Sequence, residues 1–523
     1  MLQLPDMRIP DNRDTQLVLG AAACVGVIGV MVRAYLRKSD SGLPLPPSPP
    51  TWRLRGHLLP AYNTSLTVAR WIDEYGPVIT IRSGTQNIVI IGRHKAAVDI
   101  MEKQGGLLAD RPRRAAAEIL THGLVVGLSS AGDRLRRKRR ALHTHLQSKA
   151  AEAYEPLQMS HAKNLVLNIL DDPCNFQNHA ATCSAATIMK VAYGKTTSTS
   201  ASDPEIREAR QLIKRIRFVM HPGAYLVDLI PWLKYLPWYA PELKDEFERT
   251  KRLYTDQLNR VRQQMQGNVD IGPSFAKHML EKEQLYGLTE TEMAYVAGAL
   301  FGAGTEMTAM AICTVLMAAA HFPEEQAKVQ EELDVVIGRK RGTKLYFSSQ
   351  LCQLNDFPAE APTFADKQSL PHLEAFIIEA LRWRPLDGLP HRTTADVIWE
   401  NYCIPVGTTV IGNIWAISRD PEVFPEPNAF KPQRWINEQG RVRDDLTFFV
   451  YGFGRRVCPG LHLANRSLFI NLLLMLWAFQ ISLDPTKPQD DMGFMNEAMP
   501  NVPCALEFKT RVPEVELRYM MED

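Results

Sequence analysis

Three long apolar stretches organise the 523-residue chain. The first, residues 17–32, carries no charge. At about 1.5 Å per residue it falls slightly short of a bilayer core of about 30 Å. Thr15, Gln16 and the aliphatic stem of Arg33 extend it to spanning length, so 15–33 reads as a transmembrane anchor behind a tail at 1–14. Arg33, Arg37 and Lys38 follow it, whereas Asp6, Asp11 and Asp14 outweigh Arg8 and Arg13 before it. That asymmetry keeps the downstream chain cytosolic, and a cleavable signal peptide fits it badly. Prolines 44, 46, 47, 49 and 50 then make 34–50 a basic stop and a stiff, extended hinge.

The second stretch, 293–320, has Glu306 as its one charge. Thr289 and Glu292 are spaced as a capping box in front of it, and His321-Phe322-Pro323 closes it. Its length alone would allow a membrane span. The mid-segment acid, the interior glycines and the missing aromatic-basic belt favour a helix buried in protein on all sides. Glycine costs about 1 kcal/mol relative to alanine inside a helix. Gly302 and Gly304 therefore mark a place where a neighbour approaches the backbone or the helix bulges. The third stretch runs from 461 to about 479. A shorter amphipathic helix carries Leu373, Phe376, Ile377, Ala380 and Leu381 on its apolar side and ends at Arg384-Pro385.

Composition adds exclusions. With 45% hydrophobic and 23% charged residues, the chain is neither disordered, collagen-like nor coiled-coil. A prior of roughly 150 residues per domain suggests about three domains. Sixty Lys+Arg against 58 Asp+Glu give no basic face for nucleic acid. Eight cysteines without a C-x-x-C pair take away the usual signature of zinc ribbons, thioredoxin-like motifs and c-type haem attachment.

Two arrangements carry chemistry. Glu379 and Arg382, three apart, share a helical face, and Arg434 in the proline-broken run 430–435 is a candidate third partner. The loop Tyr451-Gly452-Phe453-Gly454-Arg455-Arg456-Val457-Cys458-Pro459-Gly460 places a cysteine among arginines just before a helix, where its pKa should fall and favour the thiolate. A thiolate ligates metal, and haem-thiolate enzymes use a single axial one. Cys24, Cys174, Cys183, Cys313, Cys403 and Cys504 fit the plainer role of small buried apolar residues.

Together these motifs resemble those of membrane-bound cytochromes P-450, most closely the fungal microsomal group, over roughly 45–515. The cysteine loop matches F-x-x-G-x-R-x-C-x-G with Tyr451 for Phe; E-x-x-R matches Glu379 and Arg382; F-x-P-x-R-W matches Phe430, Pro432, Arg434 and Trp435. The resemblance implies a mainly α fold with smaller β-sheets (α+β), a single large haem domain at 51–523 behind the anchor. Cys458 would be the axial ligand of haem b, with Arg456, Arg139 and His391 on its propionates and Phe453 and Gly460 against the macrocycle. Leu135 stands where the family has a propionate-binding tryptophan. The run 134–140 reads as a solvated basic face or as a seat for an acidic electron donor, and both can hold for different arginines.

The resemblance further implies insertion of one oxygen atom from O2 into an apolar small molecule, with no nucleic acid involved. Electrons would come from NADPH through a separate cytochrome P-450 reductase, with cytochrome b5 as a second donor. The setting would be single-pass anchorage in the endoplasmic reticulum with the haem domain in the cytosol. The family's A-G-x-(D/E)-T-(T/S) falls on Ala303, Gly304, Thr305, Glu306, Met307 and Thr308, so its proton-delivering threonine is Met307. A thioether donates no proton; Thr308 or Thr305, Glu306 and ordered water are the expected substitutes. Met307 also motivates two rivals: a peroxide-using isomerase or peroxygenase, and a haem-binding non-enzyme disabled by Met307 and by an insertion.

That insertion, 342–360, interrupts a connection that is short in the family and lacks helical or strand periodicity. It reads as a translated intron in preference to a functional loop. Segments 107–128, 218–229, 299–303, 387–389 and 494–499 should face the substrate, and no charged residue in them stands out as an anchor for a carboxylate or amine. Segments 222–226 and 231–239 are candidates for dipping into the membrane interface.

Overall fold

The computed structural model describes residues 42–51, 56–60, 63–84, 86–221, 223–267, 269–341, 360–386, 388–446, 449–487 and 505–522. The anchor at 15–33, the insertion except Glu360, and 494–499 lie outside them. The architecture is α+β. The helices that frame the site are α1 (Ala115–Thr121), α2 (Asp133–Leu146), α3 (Phe176–Tyr193), α4 (Pro204–Met220), α5 (Pro241–Gln266), α6 (Glu290–His321), α7 (Pro371–Trp383) and α8 (Leu461–Ala478).

The long helix α6 is the axle of the fold and packs against α3, α4, α5 and α8. Its capping box forms as the spacing predicts: Glu292 N–H donates to Thr289 Oγ1 at 3.2 Å, and Thr289 N–H donates to Glu292 Oε2 at 3.0 Å. Helices α6 and α8 are long and apolar enough to cross a membrane, but 78% and 72% of their apolar windows are buried inside the protein. They are core helices. The glycines of α6 answer the question the pattern left open, because the helix runs unbroken and does not bulge. A Cβ on Gly298 would sit 2.3 Å from the Tyr254 ring, and one on Gly304 would sit 2.5 Å from Ile188 Cγ1. Close approach by α5 and α3 is what these glycines permit.

Strands occupy the periphery. In the four-stranded sheet, ordered β1-β2-β6-β3, β1 (Val78–Ser83) pairs antiparallel with β2 (Gln86–Ile91), and β2 pairs parallel with β6 (Thr409–Gly412). β3 (His391–Arg392) closes that sheet antiparallel to β6, with His391 opposite Val410. This pairing carries His391 into the site. Two-stranded sheets are made by β4 (Val397–Trp399) with β5 (Tyr402–Ile404), and by β7 (Phe479–Leu483) with β8 (Leu506–Thr510). Cys183, Cys313 and Cys403 are buried as expected, but Cys174 is exposed, because the short turn 173–175 that holds it has no buried residue.

Candidate active site

The cysteine loop is held from both sides. Gly452 (φ +82°) and Gly454 (φ +49°) take left-handed conformations that favour glycine. A Cβ at Gly454 would lie 2.6 Å from the Met101 carbonyl oxygen, so the loop is seated tightly against the 97–105 turn. Gly454 N–H donates to Glu102 Oε1 at 2.9 Å, and Cys458 N–H donates to the Tyr451 carbonyl at 2.8 Å. Phe453 is buried, stacks on Phe449 with centroids 4.8 Å apart, and leaves no room for a side chain at Gly412. At Gly460, a Cβ would make ordinary contact with Cys458 Sγ at 3.9 Å. One expectation is corrected here. Burial pushes the Cys458 thiol up, and the Gly460 N–H and Arg139 offset this only in part. Desolvation of a thiolate outweighs the neighbouring dipole and charge; metal ligation would deprotonate the thiol outright.

Around the loop, four chain segments bring basic side chains together. Arg456 donates from Nε to the Ala109 carbonyl (2.7 Å) and from Nη2 to that of Ser129 (2.6 Å). Arg139 Nη2 donates to the Val457 carbonyl at 2.9 Å, next to Cys458. Arg111, which the sequence patterns did not single out, donates to the carbonyls of Gly127 (2.9 Å), Leu389 (3.0 Å) and Pro390 (2.7 Å). His391 Nδ1 pairs with the Leu108 carbonyl at 2.9 Å, and burial followed by Arg111 pushes its pKa down to about 3. With Nδ1 paired to Leu108, Nε2 is the ring nitrogen left to face a ligand.

This cluster tests the haem assignment. Burial lowers the pKa of Arg111, Arg139 and Arg456, and Arg111 and Arg456 are lowered further by neighbouring guanidinium charges. Asp110 is the acid that opposes both, and it already accepts from Arg392 Nη1 (3.0 Å) and Ala131 N–H (2.8 Å). Buried charge without compensation is costly. Guanidinium groups converging beside a cysteine loop suit a macrocycle bearing two carboxylates, so the residues present fit haem. Leu135 is buried among apolar neighbours, and Arg111 brings a further guanidinium to the cluster. Its only sequence signal is an arginine locked before Pro112.

Above the loop, α6 turns one stripe toward an interior space. Ala303 is exposed and Ala299 and Met307 are half-buried, whereas Phe301, Gly302, Thr305 and Glu306 are buried. At about 100° per residue, Met307 lies about 40° and Glu306 about 60° from Ala303, Thr308 about 140° and Thr305 about 160°. Thr305 therefore does not join the set: it points away from Ala303 and donates to the Phe301 carbonyl at 2.8 Å. Thr308 is half-buried on the stripe that Gly304 packs against α3. Glu306 is the nearest proton-carrying group to the open face, and its Oε2 has no hydrogen bond among the described residues.

The other predicted network assembles behind the site. Arg382 donates from Nε and Nη2 to the two oxygens of Glu379, each at 2.7 Å. Arg434 Nε (3.2 Å), Trp435 Nε1 (2.8 Å) and Lys431 N–H (2.8 Å) also donate to that carboxylate. Neither Glu379 nor Arg382 is exposed, so this is a core network and not a surface pair. The basic run in α2 sorts by face: Lys138 and Arg139 turn inward, while Arg134, Arg136 and Arg140 stay exposed.

Comparison with known proteins agrees with this geometry. The Cytochrome P450 family matches residues 46–508. Cytochrome P450 monooxygenase 113 of Postia placenta is 45% identical over 507 residues, covering 96% of this chain and 98% of its own. Cytochrome P450 monooxygenase 64 of the same fungus is 43% identical, covering 95% and 98%. A cytochrome P450 monooxygenase of Armillaria gallica is 33% identical, covering 87% and 86%. Identity of this extent, reaching across nearly the whole of each chain, shows that the protein belongs to the cytochrome P450 family, as a haem-thiolate monooxygenase of the fungal type.

Proposed function

We propose that Cys458 is the axial ligand, that Arg111, Arg139 and Arg456 hold the haem propionates, and that an apolar substrate lies along Ala299, Ala303 and Met307. The observation that carries this assignment is the guanidinium cluster beside the cysteine loop, whose one nearby acid is already engaged. Haem bound there supplies oxygen activation, and an axial thiolate favours O–O cleavage. The chain supplies the rest. Asp228 Oδ1 accepts from Ala116 N–H (3.1 Å) and Lys234 pairs with Glu118 (3.1 Å), tying α1 to the 226–235 segment. Glu306 is the carboxyl group nearest the open face, Thr308 and water complete a path for protons to it, and Met307 contributes bulk without a donor.

Electrons originate from NADPH and would arrive through a reductase at the exposed arginines of α2. Large apolar side chains support contact with a bilayer: Leu226, Leu229, Trp232, Tyr235 and Trp238 are each 60% or more exposed. Tyr239 differs, since its hydroxyl accepts from Val227 N–H at 3.0 Å and belongs to the fold. With 15–33 as anchor and 34–50 as spacer, the domain at 51–523 would lie on the cytosolic face of the endoplasmic reticulum. The test is the absorption spectrum of the reduced, CO-bound protein. Wild type should give the thiolate band and Cys458→Ser should lose it; a histidine-type band in wild type would defeat the assignment.

A further inference from the structure

Gly298 and Gly302 let α5 come close to α6, and the α5 side chain they admit is Tyr254. Gly298, Gly302 and Glu306 are four apart, so they follow one another along a slowly turning stripe of α6, each about 6 Å further on. Tyr254 lies along that stripe. A Cβ on Gly298 would sit 2.4 Å from its Cγ, and a Cβ on Gly302 would sit 3.4 Å from its hydroxyl oxygen. The phenol therefore runs from Gly298 toward Gly302 with its oxygen leading, and the next side chain on that line is Glu306. The Tyr295 ring packs edge to face on it, with centroids 5.3 Å apart, and Ile213 of α4 lies over the same glycine as the hydroxyl.

Glu306 is buried, and its Oε2 has no hydrogen bond among the described residues. A buried carboxyl oxygen without a donor is costly. Tyr254 is buried too, and burial first, then the Tyr295 phenol and Glu208, raises its pKa, so near neutral pH its hydroxyl keeps a proton to donate. Arg210 of α4 is within electrostatic reach of Glu306, and its Nε and Nη2 also lack hydrogen bonds among the described residues. Across a gap of one helical turn, a single water bridges two such groups at little cost.

We propose that Tyr254 is a positioning residue for Glu306: its hydroxyl donates through one ordered water to Glu306 Oε2 and turns the other carboxyl oxygen toward the Ala303 stripe. Arg210 stands beside the same acid from α4. This rests on the reading that Glu306 serves protons to the site, and it extends that path into the α5–α6 interface.

The test uses the full-length holoprotein with a cytochrome P450 reductase and NADPH, and no added substrate. Hydrogen peroxide released per NADPH consumed is measured for wild type, Tyr254→Phe, Glu306→Gln and the double variant. Tyr254→Phe keeps the ring that Gly298 receives and removes the hydroxyl alone. It should shift the partition between peroxide and water about fivefold toward peroxide, the equivalent of one ordinary hydrogen bond. In the Glu306→Gln background the same change should matter by under about twofold, since its route is already cut. Infrared spectra supply a readout that needs no turnover: the Glu306 carboxyl band, identified as the one Glu306→Gln removes, should move in Tyr254→Phe. A band that stays, or a partition that Tyr254→Phe shifts equally in both backgrounds or not at all, would overturn the proposal. A moved band with a partition that Glu306→Gln leaves unchanged would overturn the proton reading and not the contact. If Tyr254→Phe does not fold, Tyr254→Met occupies the groove along Gly298 without a hydroxyl, with the same outcomes.

Discussion

Glu379 and Arg382 are joined by two hydrogen bonds of 2.7 Å in a place where neither is exposed. The remaining Arg382 donors reach the carbonyls of Ser418, Pro427 and Ala429, so this one side chain ties α7 to the irregular 418–434 region. Removing one partner leaves the other buried and charged, at a cost of about 3–5 kcal/mol. Arg382→Ala and Glu379→Ala should each fail to accumulate as folded holoprotein. Arg382→Lys should rescue little, since an ammonium cannot reproduce the fork. Thermal unfolding and haem content measure both.

Arg111 should matter to haem retention although it is far from Cys458 in sequence. Losing one charge-assisted hydrogen bond is worth about 1.5 kcal/mol or more, about tenfold in equilibrium or rate. Arg111→Gln should accelerate haem transfer to a scavenging apoglobin by that factor. An unchanged rate would remove Arg111 from the propionate set.

Lys138 is buried and donates from Nζ to the carbonyls of Gly123 (3.2 Å) and Leu124 (2.7 Å) and to Ser129 Oγ (3.2 Å). Burial first, then Arg134, pulls its pKa from 10.5 down to about 8. Between those values the unfolded chain binds the extra proton, so this residue's contribution to stability rises with pH through that window. Below about 8 both states are protonated and the contribution is flat. Wild type should therefore gain stability relative to Lys138→Met between pH 8 and pH 10.5. Parallel denaturant titrations at the two ends would show it, and a constant difference would contradict it.

Alanine ordinarily improves a helix by about 1 kcal/mol over glycine. Gly298→Ala should do the opposite, because its Cβ would meet the Tyr254 ring at 2.3 Å and the ring must shift. Overpacking of this kind costs about 1–3 kcal/mol. A lower melting temperature is expected, restored in part by pairing the change with Tyr254→Leu; a rise in the single variant would mean the interface yields freely.

Met307→Thr restores the hydroxyl that the family pattern carries at this position. If Glu306, Thr308 and water already move protons, product formed per NADPH consumed should stay level or improve slightly. A large improvement would show instead that the native protein loses reducing equivalents.

The capping box at Thr289–Glu292 and the cysteine loop were legible in the sequence because each depends on neighbours within a few residues, and the burial of α6 because its apolar residues run all round the helix. The arginine triad was legible only in part. Spacing placed Glu379 with Arg382, and the proline-broken motif offered Arg434 as third partner, whereas the convergence of Trp435 and Lys431 on the same carboxylate depends on how 425–435 folds back. Thr305 was misplaced because a six-residue motif does not say which side of a helix faces the site; that needs the partners of α6 on every side.

Length alone suggested three domains, whereas the motifs pointed to one haem domain behind an anchor and a proline spacer. Near-neutral charge and unpaired cysteines then left a single reactive sulfur, and local order named it. Tertiary structure decided what local order cannot: burial raises the Cys458 thiol despite the arginines beside it, and Arg111 joins the cluster from the far side of the chain. Each of these is a sum over groups distant in sequence, and desolvation and Coulomb interactions depend on position in space.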